Sequence, residues 1–385
     1  VGAVCIGNAL EDMGEAKLIA VGHTNGFAKG IGGVSTLMHH YGRDSVPLGS
    51  YKGAWAQNAT AGRACRVGLD APHCHTCAPG HEGEPQCDGG ASADHYLSDL
   101  ISHYPSGVKS SAEVPTAVEV YRKALAAADN HSVAIASIGI TTNMRDLVLS
   151  DPDEHSSLWA FSAMSSCMSL RSEELLTDHD CLERRYGPEL IAQKVKVIVW
   201  MDGGYNFGCA GHDYDDWLGS DAACRGSAKL AVEGWPSSVK QIFSGVGGDV
   251  MHGDWLANCS TDANPCRRAQ QDWPNGPQRP KDNILGKGRS SWDPITVLTA
   301  VRGPAAMHLK ETCVGGTNTV DVAGREQMVG ADGSPCCGST GVACTGGSNQ
   351  SHVEYEGAES AEQLHLELNE LLCRGPLHPP QSSPK

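Results

Sequence analysis

The chain has 385 residues, 40% of them hydrophobic and 19% charged, which is enough apolar matter for a sizeable core and excludes wholesale disorder. Its 29 Lys and Arg against 45 Asp and Glu leave a net charge of −16, which repels phosphate backbones and argues against nucleic acid as a partner. No apolar run approaches the ~18 residues needed to span a bilayer, so no membrane partner is expected.

Lys17–Val21 reads as a buried strand, followed by a glycine-punctuated loop and a helix across Gly33–Tyr41. Pro115–Ala128 is the clearest helix, with Pro in the first turn and Val118, Tyr121 and Leu125 at three- to four-residue spacing. Ser132–Ile138 has the nearly continuous small apolar character of a strand covered on both faces, and Asn143–Leu149 reads as helix. Tyr186–Gln193 leads into Val195–Met201, the strongest strand pattern in the chain. Val239–Ser244 is a further strand, Pro294–Arg302 a helix, Ser351–Tyr355 a strand and Ala361–Cys373 an amphipathic helix. This alternation predicts an α/β fold: a mostly parallel, Rossmann-like sheet with helices on both faces, as one domain over 1–373. Three segments (72–90, 259–291 and 333–349) read as loop insertions held by disulfides, and 374–385 reads as a disordered tail.

Sixteen cysteines, an even number with several close in sequence, point to disulfides closing short loops, such as Cys209 with Cys224 or Cys259 with Cys266. Asn-x-Ser/Thr sequons at Asn58, Asn130, Asn258 and Asn349 point the same way. The expected setting is therefore an oxidising one, secreted or in the lumen of the secretory pathway, with the cytoplasm as the alternative. The chain begins with Val1 rather than Met, as a processed or incomplete sequence would.

Ligands of parallel α/β sheets bind beyond the carboxyl ends of strands, where loops enter helices. Three such junctions carry polar or flexible residues: Ser137–Asn143, Trp200–Asn206, and Trp292-Asp293-Pro294, where Asp293 reads as the N-cap of an apolar helix. Taken singly, an Asp before Pro is ordinarily a cap and a Gly-Gly pair after a strand is ordinarily a turn. Together, and in this order, they resemble the nucleoside hydrolase family of the inosine/uridine-preferring type. Gly139-Ile140-Thr141-Thr142-Asn143 resembles its Gly-x-Leu-Thr-Asn element. Lys194–Tyr205 resembles its Val-x-x-Met-Gly-Gly strand end, and Trp292–Val297 its Asp-Pro-Leu-Ala-Val helix start. Lys17–Gly53, with Tyr41-Gly42-Arg43-Asp44 and Val46-Pro47-Leu48-Gly49, resembles an earlier strand, helix and Gly-Arg-x-x-Ile-Pro-Val stretch. Trp235-Pro236 with Ile242–Gly245 resembles a Trp-Pro…Phe-Ser-Gly pattern of one branch. The resemblance spans most of Val1–Arg302 and is weak over the cysteine-rich insertions.

That resemblance implies hydrolysis of the N-glycosidic bond of a ribonucleoside, with a calcium ion orienting the ribose and activating water while the sugar passes through an oxocarbenium-like state. It makes Asp293 a calcium ligand and the backbone carbonyl of Ile138 another. It sets Met201 beneath the ribose and brings Asn206 and Asn25 to sugar hydroxyls. Homo-oligomers, commonly dimers or tetramers, are the family's habit. The sequence departs from the family in three ways. Val1–Leu10 resembles the family's first helix, so the Asp-rich loop that supplies most calcium ligands and the catalytic base would lie before Val1. The catalytic base is therefore unassigned, and the chain as it stands is expected to be inactive and to bind calcium poorly. Trp292 occupies the place of a histidine that serves some members as leaving-group acid. The family's Glu-x-Asn sugar element is not found; Asp213, Asp215, Asp216 and Asp221 in that region are candidates to substitute for it, but a solvated acidic loop is the better reading. The rival expectation is a non-catalytic protein of the same fold, disulfide-stabilised and secreted, that binds a small polar ligand or a partner.

Other chemistry is weaker. Cys74, Cys77 and Cys87 with His75 could hold zinc or form disulfides, and disulfides fit the remaining cysteines better. Gly245, Gly247 and Gly248 lack the spacing of a dinucleotide loop, and Ser35 lacks the flanking glycines of a nucleophile elbow. His39 and His40 read as an exposed or half-buried pair rather than a metal site.

Overall fold

The computed structural model describes residues 1–24, 28–52, 97–151, 187–201, 211–212, 227–272, 286–320, 325–337 and 342–377. Outside the described residues fall Asn25, Asn206, the acidic stretch 213–221, the insertion 72–90 with its Cys/His cluster, Cys209 and Cys224, and residues 378–385 of the tail.

In chain order, α1 (Gly2–Asp12) is followed by β1 (Val21–His23), α2 (Gly30–His40) and β2 (Leu48–Ser50). Next come α3 (Ala117–Ala127), β3 (Val133–Ser137), α4 (Thr142–Val148), α5 (Gly187–Lys194) and β4 (Val195–Trp200). Then follow β5 (Gly211–His212), α6 (Ser227–Glu233), β6 (Lys240–Phe243), β7 (Met251–His252), α7 (Leu256–Cys259) and α8 (Pro265–Asp272). The last part holds β8 (Arg289–Ser290), α9 (Trp292–Arg302), β9 (Leu309–Thr312), β10 (Thr317–Val320), β11 (Arg325–Val329), β12 (Gln350–Tyr355) and α10 (Ser360–Cys373).

The central sheet runs β3-β4-β6-β12-β9, with the first four strands parallel and β9 antiparallel at the edge. β1 and β2 form a separate parallel pair, β10-β11-β5 an antiparallel ribbon, and β7-β8 a short antiparallel pair. The alternation of side chains along the strands divides the core in two. Val199 of β4 and Ile242 of β6 join one apolar cluster with Ile6 and Leu10 of α1, Ile295 and Leu298 of α9, and Leu364 and Leu368 of α10. Their neighbours Ile198, Trp200 and Phe243 point the other way, into a cluster with Leu147 of α4, Ile191 of α5 and Ala231 of α6. Helices therefore cover both faces, which is why β4 carries an almost unbroken apolar run.

The expected α/β architecture is what the structure has, with local corrections. The first strand is Val21–His23 rather than Lys17–Val21, and α2 starts at Gly30. Pro115 lies outside α3: Thr116 is the N-cap, its hydroxyl accepting from the Glu119 amide at 3.2 Å. The segment 259–291 is not simply a loop insertion, since it holds α8 and β8 and begins with the last residue of α7. The expected local pair Cys259–Cys266 does not form. Cys5 of α1 bonds Cys266 of α8, and Cys259 of α7 bonds Cys373 at the end of α10, so the bridges staple distant elements. Cys313–Cys337 and Cys336–Cys344 do tie the 333–349 segment to its own surroundings. No helix among the described residues is long and apolar enough to cross a membrane.

Candidate functional site

The site is built where the parallel strands end. The backbone after β3 turns at Ile138 and Gly139 into α4. The turn is tight against β1, because a Cβ on Gly139 would lie 2.3 Å from Thr24 Oγ1. Two side chains of α4 fasten it there: Thr142 Oγ1 donates to the Thr24 carbonyl at 3.4 Å and Asn143 Nδ2 to the His23 carbonyl at 3.2 Å. Asn143 also bonds Tyr121, whose phenol burial pushes up to about 12. Gly22 leaves room for that hydroxyl, since a Cβ there would sit 1.9 Å from it. The end of β4 is locked to the same place: the Met201 amide donates to the Ser137 carbonyl at 2.8 Å, which sets Met201 beside the β3 exit, buried.

The third junction arrives from the opposite direction. After β6 the chain passes Gly247, whose φ of +115° is open to glycine and strained for other residues; a Cβ there would lie 2.8 Å from the backbone of Ser291 and Trp292. The Ser291 amide donates to the Gly247 carbonyl at 2.8 Å, which anchors the start of α9 past the β6 end. From there α9 packs across β3 and β4. Ser291, not Asp293, is the N-cap; Asp293 lies within the first helical turn, half-buried, where the positive end of the helix dipole favours a carboxylate. Burial nevertheless holds its pKa above the ordinary carboxylate range, against the pull of Arg289. The structure also brings the start of α1 beside Asp293. Trp292, preceding it, is 41% exposed, with its indole lying along Gly248.

A buried polar network supports this corner. Ser291 Oγ donates to the Val250 carbonyl at 2.6 Å, so it accepts the Nδ1 proton of His252 at 3.0 Å; His252 Nε2 then accepts from Gln270 at 3.1 Å. The ring is held neutral, because burial, seconded by the nearby Arg289, depresses it to about 3. α1 begins directly against this ring: a Cβ on Gly2 would fall 2.3 Å from His252 Nε2. Sequence reasoning missed His252, Ser291 and Gln270, since they come from three separate stretches with no spacing signal. It also missed His23, depressed to about 4 by burial, whose Nδ1 has no hydrogen-bond partner among the described residues.

Of the expected site residues, Ile138 and Met201 leave adjacent strands at one end of the sheet, and Asp293 enters on a helix crossing those same strands. Asn25 and Asn206 lie outside the described residues. One carboxylate and one backbone carbonyl do not make the six to eight oxygens of a calcium shell. No three His, Cys, Asp or Glu among the described residues converge to hold a metal. The described residues therefore do not complete a calcium site. No protein-family model matches the chain, and no curated protein matches it.

Proposed function

We propose that the chain is a nucleoside hydrolase-type protein whose ligand is a ribonucleoside, held at the carboxyl ends of β3 and β4 and cleaved at its N-glycosidic bond. One observation supports this: Ile138 and Met201 leave adjacent parallel strands at one end of the sheet, and Asp293 enters on a helix packed across those same strands. The under-compensated charge of Asp293 suits the positive character that a sugar gains as its base departs. The exposed indole of Trp292 offers a flat apolar face to a nucleobase. Met201 supplies an apolar floor. Calcium, where bound, would supply water activation; the described residues offer it only Asp293 and the Ile138 carbonyl, and a catalytic base is not among them. The four disulfides among the described residues fit an oxidising compartment, and we take secretion as part of the same proposal.

The rival reading is a non-catalytic binding protein of the same fold. Titration calorimetry with purine and pyrimidine ribonucleosides, with and without calcium, tests the ligand. Asp293→Ala is expected to weaken ribonucleoside binding about tenfold or more. No ribonucleoside binding, or the same affinity in D293A, would refute the site. Release of reducing sugar then separates the readings. Turnover lost on the order of 10²–10³-fold in D293A supports the hydrolase, and binding without turnover supports the binding protein.

A further inference from the structure

Four sequons are not used by the ligand site, and the three in described residues differ in what the fold does with them. Asn258 is also exposed, but it lies inside helix α7, with its backbone N–H bonded to the Trp255 carbonyl at 2.8 Å and its neighbour Cys259 tied to Cys373. Asn349 already donates its side-chain amide to the Ser238 carbonyl at 3.2 Å. The hydroxyl two residues on, at Ser351, is buried and donates to Glu311 at 2.7 Å. Asn130 is different. It sits in the turn between α3 and β3 with Asn130, His131 and Ser132 all exposed. The turn is fixed through its backbone alone: the His131 amide donates to the Gln193 carbonyl at 2.9 Å and the Ser132 amide to the Lys194 carbonyl at 3.1 Å. The acceptor amide is left facing solvent. The Ser132 hydroxyl makes only a local bond to the Asp129 carbonyl at 2.8 Å.

We infer that Asn130 is an N-glycan acceptor and that the amino-terminal end of the parallel sheet is the glycan-bearing face of the molecule. In the transfer, Asn130 Nδ2 attacks the anomeric carbon of an oligosaccharide carried on a lipid pyrophosphate. A C–N bond forms, the C–O bond to the pyrophosphate breaks, the amide gives up one proton and the lipid pyrophosphate departs. The inference rests on the proposed secretion, with which the disulfides are compatible, since such donors are used in an oxidising compartment. Asn130 precedes β3 and Ile138 follows it, so a five-residue strand, about 17 Å long, separates a glycan from the ligand end. A bulky sugar there keeps one end of the molecule in water and leaves the other open.

The test is site mapping on the full chain secreted from a eukaryotic cell, with glycans removed enzymatically in heavy-oxygen water so that each occupied Asn becomes a labelled Asp. Label is expected at Asn130 in nearly all molecules. Asn130→Gln and, independently, Ser132→Ala should each remove one glycan's mass from the folded protein without altering ligand affinity. The Ser132 variant keeps the test alive should the Asn130 variant fail to fold. Secreted protein with Asn130 unlabelled, or label confined to Asn258 or Asn349, overturns the inference, whatever the ligand proves to be.

Discussion

Ser291 and Ser290 are neighbours with opposite environments, and that contrast measures what the corner beneath Asp293 is worth. Ser291 is fully buried, donates to Val250 and accepts from His252, so Ser291→Ala leaves a buried carbonyl and a buried ring N–H without partners. A loss of about 1–3 kcal/mol is expected. Ser290 Oγ donates to the Gly248 carbonyl from a half-exposed position where water can replace it, so Ser290→Ala should stay within about 0.5 kcal/mol. Gly247→Ala puts a side chain at a φ of +115° against the Ser291–Trp292 backbone, for which roughly 2 kcal/mol or more is expected. Urea denaturation of the three variants checks the order. Equal losses in both serine variants would show that the network is not what holds the start of α9. Nothing in sequence spacing announced this network. The Asp293-Pro294 pair was visible as a helix start, yet the N-cap position falls at Ser291, whose hydroxyl caps no helix amide because it is taken up by the Val250 carbonyl and His252.

The elements legible in the sequence were those with strong periodicity and burial on both faces: β3, β4, β6, α3, α9 and α10 all lie within a few residues of their expected bounds. The short strands β7 to β11 were not, since two- to five-residue strands in polar, cysteine-rich sequence carry no period to detect. Disulfide pairing was misread for a related reason. Nearness in sequence favours local closure, whereas the fold lays α8 near α2, and Cys266 meets Cys5 from 261 residues away. That bridge matters to the site, because α1 packs on both α9 and α10 and begins against His252. Arg302, at the end of α9, pairs with Glu15 just beyond α1 at 2.5 Å and with Glu367 within α10. The double variant Cys5→Ser with Cys266→Ser is expected to lose about 3–5 kcal/mol, chiefly through the longer loop freed in the unfolded chain. Hydrogen exchange should quicken first in α1. Exchange that quickens instead in α6, on the opposite face of the sheet, would mean the bridge does not serve the site end.

Across the whole molecule, burial has been imposed on ionisable groups of both signs, and the balance sets how stability responds to pH. His23, depressed to about 4, and His252 and His352, each to about 3, are kept neutral by burial. Each contributes stability that is complete above the unfolded value of 6.5 and is lost as pH falls towards its folded value. Glu326 in β11, donated to by Asn318 at 2.5 Å, works the other way. Burial raises it from 4.5 to about 7, so the folded state holds a proton the unfolded chain gives up, and stability is lost as pH rises across that interval. Near pH ~5.5 the three histidines take up close to three protons on unfolding and Glu326 releases about one, so these four groups together take up roughly two and contribute ~2–3 kcal/mol of stability lost per unit of acidification. Glu326→Gln keeps the acceptor for Asn318 and removes only the opposing contribution. It should therefore raise stability at neutral pH by up to about 3 kcal/mol, leave it unchanged near pH 4, and steepen the acid loss between. Denaturant midpoints of both proteins at pH 4, 5.5 and 7.5 settle the matter. A wild-type chain that gains stability on acidification from 6.5 to 5.5 would show that the histidines are solvated in the folded state, and with them the corner that carries Asp293.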